Sequence, residues 1–181
     1  MIDTLPSAHA GAGRLFGQPL AHAYILRVVS EFQAFVRELH DEALESLVAA
    51  PGIPAAVRGI IASGLSRSRG IDRGNASVRT LQADFRQVGL RDLGARLGAL
   101  EPRWRLHPPA ISDRRLYDEL LDLRNALAHG NESELTVLRR RGVADTVAAM
   151  QGPLAALDRL ARALDEVVWD HLSGVTGKEP W

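Results

Sequence analysis

Within the segment RNALAHG stand three side chains that together could act on an anion: Arg124, Asn125 and His129. An arginine presents a planar fork of donors that grips a phosphate or carboxylate through two bonds at once. Histidine, with an unperturbed pKa of about 6.5, takes up and releases protons at neutral pH. Asparagine can orient a ring or hold an oxygen without adding charge. At about 100° per residue, Asn125 and His129 share a helical face, while Arg124 and His129 point about 140° apart. The arginine must therefore reach round on its long stem to meet the histidine. A purely structural alternative stands beside this: Arg124 pairs with a neighbouring acid, and His129 caps a helix end against terminal carbonyls.

Other residues fit an anionic partner less specifically. From Arg58 to Arg105 there are ten arginines and four acids, while Glu31 to Glu45 holds five acids and one arginine, so the two stretches either form a basic patch or pair with each other. Arg67, Arg69 and Arg73, in the segment GLSRSRGIDRG, and the run Arg139, Arg140, Arg141 are candidates for contacting phosphates, with solvated charge as the plain reading. With no cysteine, disulfides, thiolate metal sites and cysteine nucleophiles are excluded. The remaining histidines, His9, His22, His40, His107 and His171, lack metal-ligand spacing, so neither a metal nor a cofactor is expected. There is no glycine-rich phosphate loop and no Gly-x-Ser-x-Gly elbow.

The elements that must carry these residues read as helices throughout. From about Leu20 to Ala50, Ile25, Val28, Val29, Phe32, Val36, Leu39, Ala43 and Leu47 recur at steps of three and four, up to the stop Pro51-Gly52. A short helix is expected over Pro54 to Ser63 with Val57, Ile60 and Ile61 as its apolar edge, followed by a mobile loop. Asn75 or Ser77 caps a third helix, which Gly89 ends, and a weak helix follows over Leu90 to Leu100. The prolines of EPRWRLHPPAIS make a connection. Ser112 then caps the motif helix, whose Leu116, Leu120, Leu123 and Leu127 face the core, and Gly130-Asn131 ends it beside His129. After the segment ESELTVLRRRG, a last helix runs from about Val143 to Leu172, interrupted near Gly152-Pro153.

The expected architecture is all-α: a helical bundle with long first and last helices and a short-helix insertion between them. Residues 1–19 are expected to be a flexible segment, 20–172 one helical domain and 173–181 a flexible tail. No apolar run has the length of about 18 to 20 residues that a membrane span needs, so no membrane contact is expected and the protein is read as cytoplasmic.

The order Arg124, Asn125, three residues, His129, Gly130 at a helix end, between a long first and a long last helix, resembles the HEPN superfamily, in particular its RiboL-PSP-like ribonuclease and toxin branch. The resemblance covers about Leu20 to Leu172. It implies a metal-independent RNA endonuclease, a homodimer with two motif helices meeting across the subunit boundary, and a role as toxin or phage-defence effector, with an antitoxin as a further partner. Arg124, Asn125 and His129 would then be catalytic. Metal-free RNA cleavage uses the 2′-OH as nucleophile and needs a base beside it, an acid at the leaving 5′-oxygen and positive charge on the phosphate. One histidine cannot serve as both at once, so His129 from each subunit is expected in one composite cleft. Glu31 and Asp122, with Asp118, are candidate acids for tuning the histidine. Two alternatives stay open: a non-catalytic module of the same fold that binds an antitoxin or nucleotidyltransferase, and a plain dimeric scaffold.

Overall fold

A computed structural model describes residues 9–49, 53–100 and 112–181, with side chains from residue 18 onward. These residues are helical, with no strand among them: α1 (His9–Val48), α2 (Ala55–Ser68), α3 (Val78–Gln87), α4 (Leu93–Leu100), α5 (Asp113–Ala128), α6 (Glu132–Arg140) and α7 (Gln151–Thr176), the last preceded by a 3₁₀ turn over Ala148–Met150. None of the helices is long and apolar enough to cross a membrane. The expected stop Pro51-Gly52 and almost all of the proline-rich connection lie outside the described residues.

Helices α1, α5 and α7 pack on one another as the central layer. α1 begins at His9, not near Leu20, and runs through Pro19, so part of the segment expected to be flexible is helical. Its inward stripe is Ala21, Ile25, Val29, Phe32, Val36, Leu39, Ala43 and Leu44, with Val28 and Leu47 only partly buried. Two polar residues, Gln33 and His40, interrupt that stripe and are themselves buried. α5 buries Tyr117, Leu120, Leu121, Leu123 and Ala126, so the face turned inward is rotated from the expected leucine stripe, and Leu116 and Leu127 sit at its margin.

The satellite helices depart most from expectation. α2 extends to Ser68 and fully buries none of its side chains; it lies alongside α1, touching the core through the partly buried Leu65 while Val57 and Ile60 are exposed. The segment ESELTVLRRRG contains α6, capped by Asn131, whose side chain accepts from the Glu134 amide. α6 carries acids in its first turn, arginines in its last, and Leu135 and Leu138 inward, which suits the helix dipole and the core together. Gly152-Pro153 does not interrupt α7: it falls in the first turn, where the missing proline N–H has no partner to lose. The tail also differs, since Ser173 to Thr176 continue α7, and Lys178, Glu179 and Pro180 line a hollow with Glu45 and Ser46 of α1 and with Ala49 just past its end.

The connection from α2 to α3, expected to be mobile, is held by three helices at once. Gln33 of α1 donates to the carbonyls of Ile71 at 2.7 Å and Gly74 at 3.0 Å. The Asp84 carboxylate of α3 accepts from the amides of Gly70 at 2.7 Å and Ile71 at 2.9 Å. The Tyr117 hydroxyl of α5 donates to the Ala76 carbonyl at 2.5 Å, and burial pushes its pKa far up, so the donor stays protonated. Gly70 suits its place because a Cβ there would meet Thr80 Cγ2 at 3.1 Å and Asp84 Oδ1 at 3.3 Å. Ser77 is the cap of α3; Asn75 is not.

Candidate active site

The last turns of α5 deliver the motif. Ser112 caps the helix start, accepting from the Arg115 amide; at the other end Gly130 takes φ +60° and the Asn131 amide returns to the Ala126 carbonyl at 2.8 Å. His129 stands at the C-cap between them, exposed, and its ring makes no hydrogen bond to the described residues.

Arg124, Asn125 and His129 line one polar cleft of ≈ 620 Å³ together with Asp72, Arg73, Gly74, Asn75 and Glu134. The two side chains that an ideal helix would splay therefore open onto the same space. Its far wall is the held α2–α3 connection, and across it the Arg124 Nη1 donates to Asn75 Oδ1 at 2.6 Å and to Asn125 Oδ1 at 3.1 Å. Asn75 Nδ2 in turn donates to Asn125 Oδ1 at 2.9 Å. The guanidinium is thus held by neutral amides, and it forms no ion pair with a described residue.

The acids of the cleft are engaged elsewhere. Asp72 pairs with Arg37 at 2.7 Å and Arg69 at 3.0 Å. Burial works against its charge, yet the Arg37 hydrogen bond and the Arg69 charge outweigh this and hold its carboxyl below the ordinary range. Glu134 accepts from the Asn131 side chain at 3.2 Å. Sequence reasoning missed Glu134 and gave Asn75 only a capping role.

Glu31 does not line this cleft. It pairs with Arg27 one turn away on α1 and edges a separate groove with Phe32, Phe35 and Leu157. Asp122 is half-buried and also stands outside the cleft lining, with Asp118 one turn before it. Burial, with the Asp122 charge adding to it and Arg114 opposing, raises the Asp118 carboxyl above its ordinary value.

The candidate phosphate contacts divide sharply. Arg69 is largely buried between Asp41 at 2.8 Å and Asp72 at 3.0 Å, so its guanidinium is committed to two carboxylates. Arg139 bonds Asp145 at 2.6 Å and approaches Glu132 at 4.0 Å, which commits it in the same way. Arg73 lines the cleft while donating to the Ser68 carbonyl at 2.9 Å. Arg67, Arg140 and Arg141 are exposed and form no ion pair with a described residue.

The other described histidines serve the framework. His22 bonds Asp145 at 3.0 Å, His40 lies buried at 3.3 Å from the Asp84 carbonyl, and His171 lies 3.0 Å from the Val88 carbonyl. No group of three or more histidine or acidic side chains among the described residues could hold a metal ion. Comparison of the chain with protein-family models, with curated proteins and with solved structures found no match.

Proposed function

We propose that the chain is a metal-independent endoribonuclease of HEPN type, acting in the cytoplasm as a toxin or phage-defence effector that an antitoxin protein holds in check. The observation that carries the reading is the pairing, in one open polar cleft, of an arginine whose bonds among the described residues go to neutral amides with an imidazole bonded to no described residue. An acid paired with an arginine offsets its field and occupies its fork; amide oxygens hold the guanidinium and bring no opposing charge.

In this reaction an RNA phosphodiester lies against Arg124, and the ribose 2′-OH gives its proton to His129 while its oxygen attacks phosphorus. Arg124 stabilises the additional negative charge of the phosphorane. The P–O5′ bond then breaks, and the 5′-oxygen leaves with a proton from a second, protonated imidazole. The products are a 2′,3′-cyclic phosphate and a 5′-hydroxyl. The second imidazole is His129 of the partner subunit, so the active form is a homodimer whose two clefts face each other.

A second reading has a specific observation behind it: among the described residues of one chain, one imidazole lines the cleft. As a monomer it would bind an RNA phosphate or an acidic partner such as an antitoxin without cleaving. The test incubates purified protein with RNA in EDTA and separates the products. Cyclic-phosphate ends formed by the wild type, and lost in both Arg124→Ala and His129→Ala with folding retained, support the nuclease. Equal cleavage by all three proteins, or none by a wild type shown to be dimeric, would overturn it.

A further inference from the structure

Resting on the reading of Arg124 as the group that meets the phosphate, we infer that Asn75, forty-nine positions away, is a positioning residue that sets which edge of the guanidinium faces the substrate. A guanidinium has one edge formed by Nη1 and Nη2 and another formed by Nε and Nη2, each able to hold two oxygens. Asn75 and Asn125 both accept from Nη1, at 2.6 and 3.1 Å. That leaves the Nε and Nη2 donors without a bond to any described residue. Elsewhere in the chain this edge binds oxyanions: Arg159 uses Nε and Nη2 on Asp113 at 2.8 and 2.7 Å, and Arg162 uses them on Asp158 at 3.0 and 3.3 Å.

The amide orientation follows from the chemistry of the partner. A guanidinium has donors and no acceptor, so the oxygen of Asn75 faces it and the Nδ2 turns to Asn125 Oδ1 at 2.9 Å. An aspartate could make the same bond to Nη1, but its charge would compete with the phosphate for the same cation. The neutral amide holds the arginine without neutralising it.

The backbone that carries Asn75 is fixed to a degree unusual for a surface connection. Gln33, Asp84 and Tyr117, all buried, hold its flanking residues from α1, α3 and α5. Burying an amide and a carboxylate is costly unless they are bonded, and here Gln33 and Asp84 spend their bonds on Gly70, Ile71 and Gly74, while the Tyr117 hydroxyl takes Ala76. The result is a rigid mount for one exposed wall of the cleft.

The experiment measures binding of an uncleavable 2′-O-methyl RNA and cleavage of unmodified RNA by wild type, Asn75→Ala, Arg124→Ala and the double variant, with the Arg124 guanidinium protons followed by ¹⁵N-correlated NMR. Displacement of a positioned charge costs about 10²-fold in turnover. Asn75→Ala should therefore lower kcat by about that factor, change KM far less, and lose the slowly exchanging Nη1 signals. Asn75→Ala should weaken RNA binding in the wild-type background and not in Arg124→Ala. Equal weakening in both backgrounds, or unchanged guanidinium signals in Asn75→Ala, overturns the inference. A wild type that cleaves nothing, yet loses both the Nη1 signals and RNA binding on Asn75→Ala, would refute the nuclease while leaving Asn75 as the residue that positions Arg124.

Discussion

The two ends of α5 treat an arginine in opposite ways. At the N-terminal end Asp113, nearly inaccessible to solvent, accepts both Nε and Nη2 of Arg159, and this hydrogen bonding, against the opposing effect of burial, raises the arginine pKa further. About 16 Å along the helix axis, Arg124 has the same edge unoccupied by any described residue and only amide oxygens on Nη1. One helix thus carries a closed fork and an open one. The closed fork fastens α7 to the start of α5, whereas the open one forms no ion pair with a described residue and shares its cleft with a histidine that bonds to none of them. Between these two arginines the difference is the charge of the partner, not burial, since both are half-buried.

The sharpest way to break the comparison is at the histidine. His129→Ala should lower RNA cleavage by about 10³-fold or more, the scale of losing a proton-transfer group, and leave the thermal midpoint within about 2 °C, because the ring bonds to none of the described residues. Arg124→Ala follows, with a loss of about 10² to 10³ in kcat measured in EDTA. Arg124→Lys should recover little, because a single ammonium replaces a two-pronged fork. Cleavage by Arg124→Lys at wild-type rate would show that only charge, and not the open edge, matters.

How much of this was legible in the sequence depends on how far apart the partners lie. The three-residue motif, the helix beneath it and its end at Gly130 follow from spacing and turn chemistry within a few residues, and all are present. The same local logic hid α6, because its leucines are only two and its surface is charged. It also misjudged α2, whose apolar edge has the right period but meets no core. Glu31 shares helical spacing with the core positions of α1, yet periodicity gives a face and not the distance to another helix. The place of Asn75 in the cleft could not be read: its partner is forty-nine positions away, and the mount that brings it there depends on Gln33, Asp84 and Tyr117, each from a different helix.

The closed fork is tested by opening it. Arg159→Met removes one partner of the buried Asp113 carboxylate and should cost about 1 to 2 kcal/mol of stability in urea unfolding; removing one member of a fully buried pair costs more, and Arg159 is itself partly solvated. Cleavage per folded molecule should be unchanged. If activity falls in proportion while stability does not, the two ends of α5 are coupled and the contrast between them is false.

Asp145 offers the same contrast as a pH dependence. The Arg139 hydrogen bond, with help from His22 and Gln18 and against the effect of burial, holds its carboxyl far below the usual range. A depressed folded-state pKa contributes stability that is fully present above the unfolded value of about 3.9 and disappears as pH falls toward the folded value. Asp145→Asn should therefore be less stable than wild type by about 2 kcal/mol at pH 7, and the gap should narrow as pH falls below about 4. A gap that stays constant to pH 2 in thermal melts would mean that the carboxylate charge is irrelevant to its contacts.

The smallest effects belong to arginines that are neither closed nor mounted. Arg140 and Arg141 are exposed at the end of α6, and no ion pair with a described residue fixes either fork. A long side chain without a mount loses conformational entropy on binding that Arg124, already held at Nη1, has largely given up. Each should therefore contribute only as a mobile charge against the RNA backbone. Arg140→Ala and Arg141→Ala should each weaken RNA binding by no more than about 1 kcal/mol, roughly fivefold, without sequence dependence. Each should also reduce the slope of log K against log salt by about 0.7 for a single strand. A loss at either position comparable to that of Arg124→Ala would mean that a neutral mount is not what gives an arginine its weight in this protein, and that reach toward the substrate matters more.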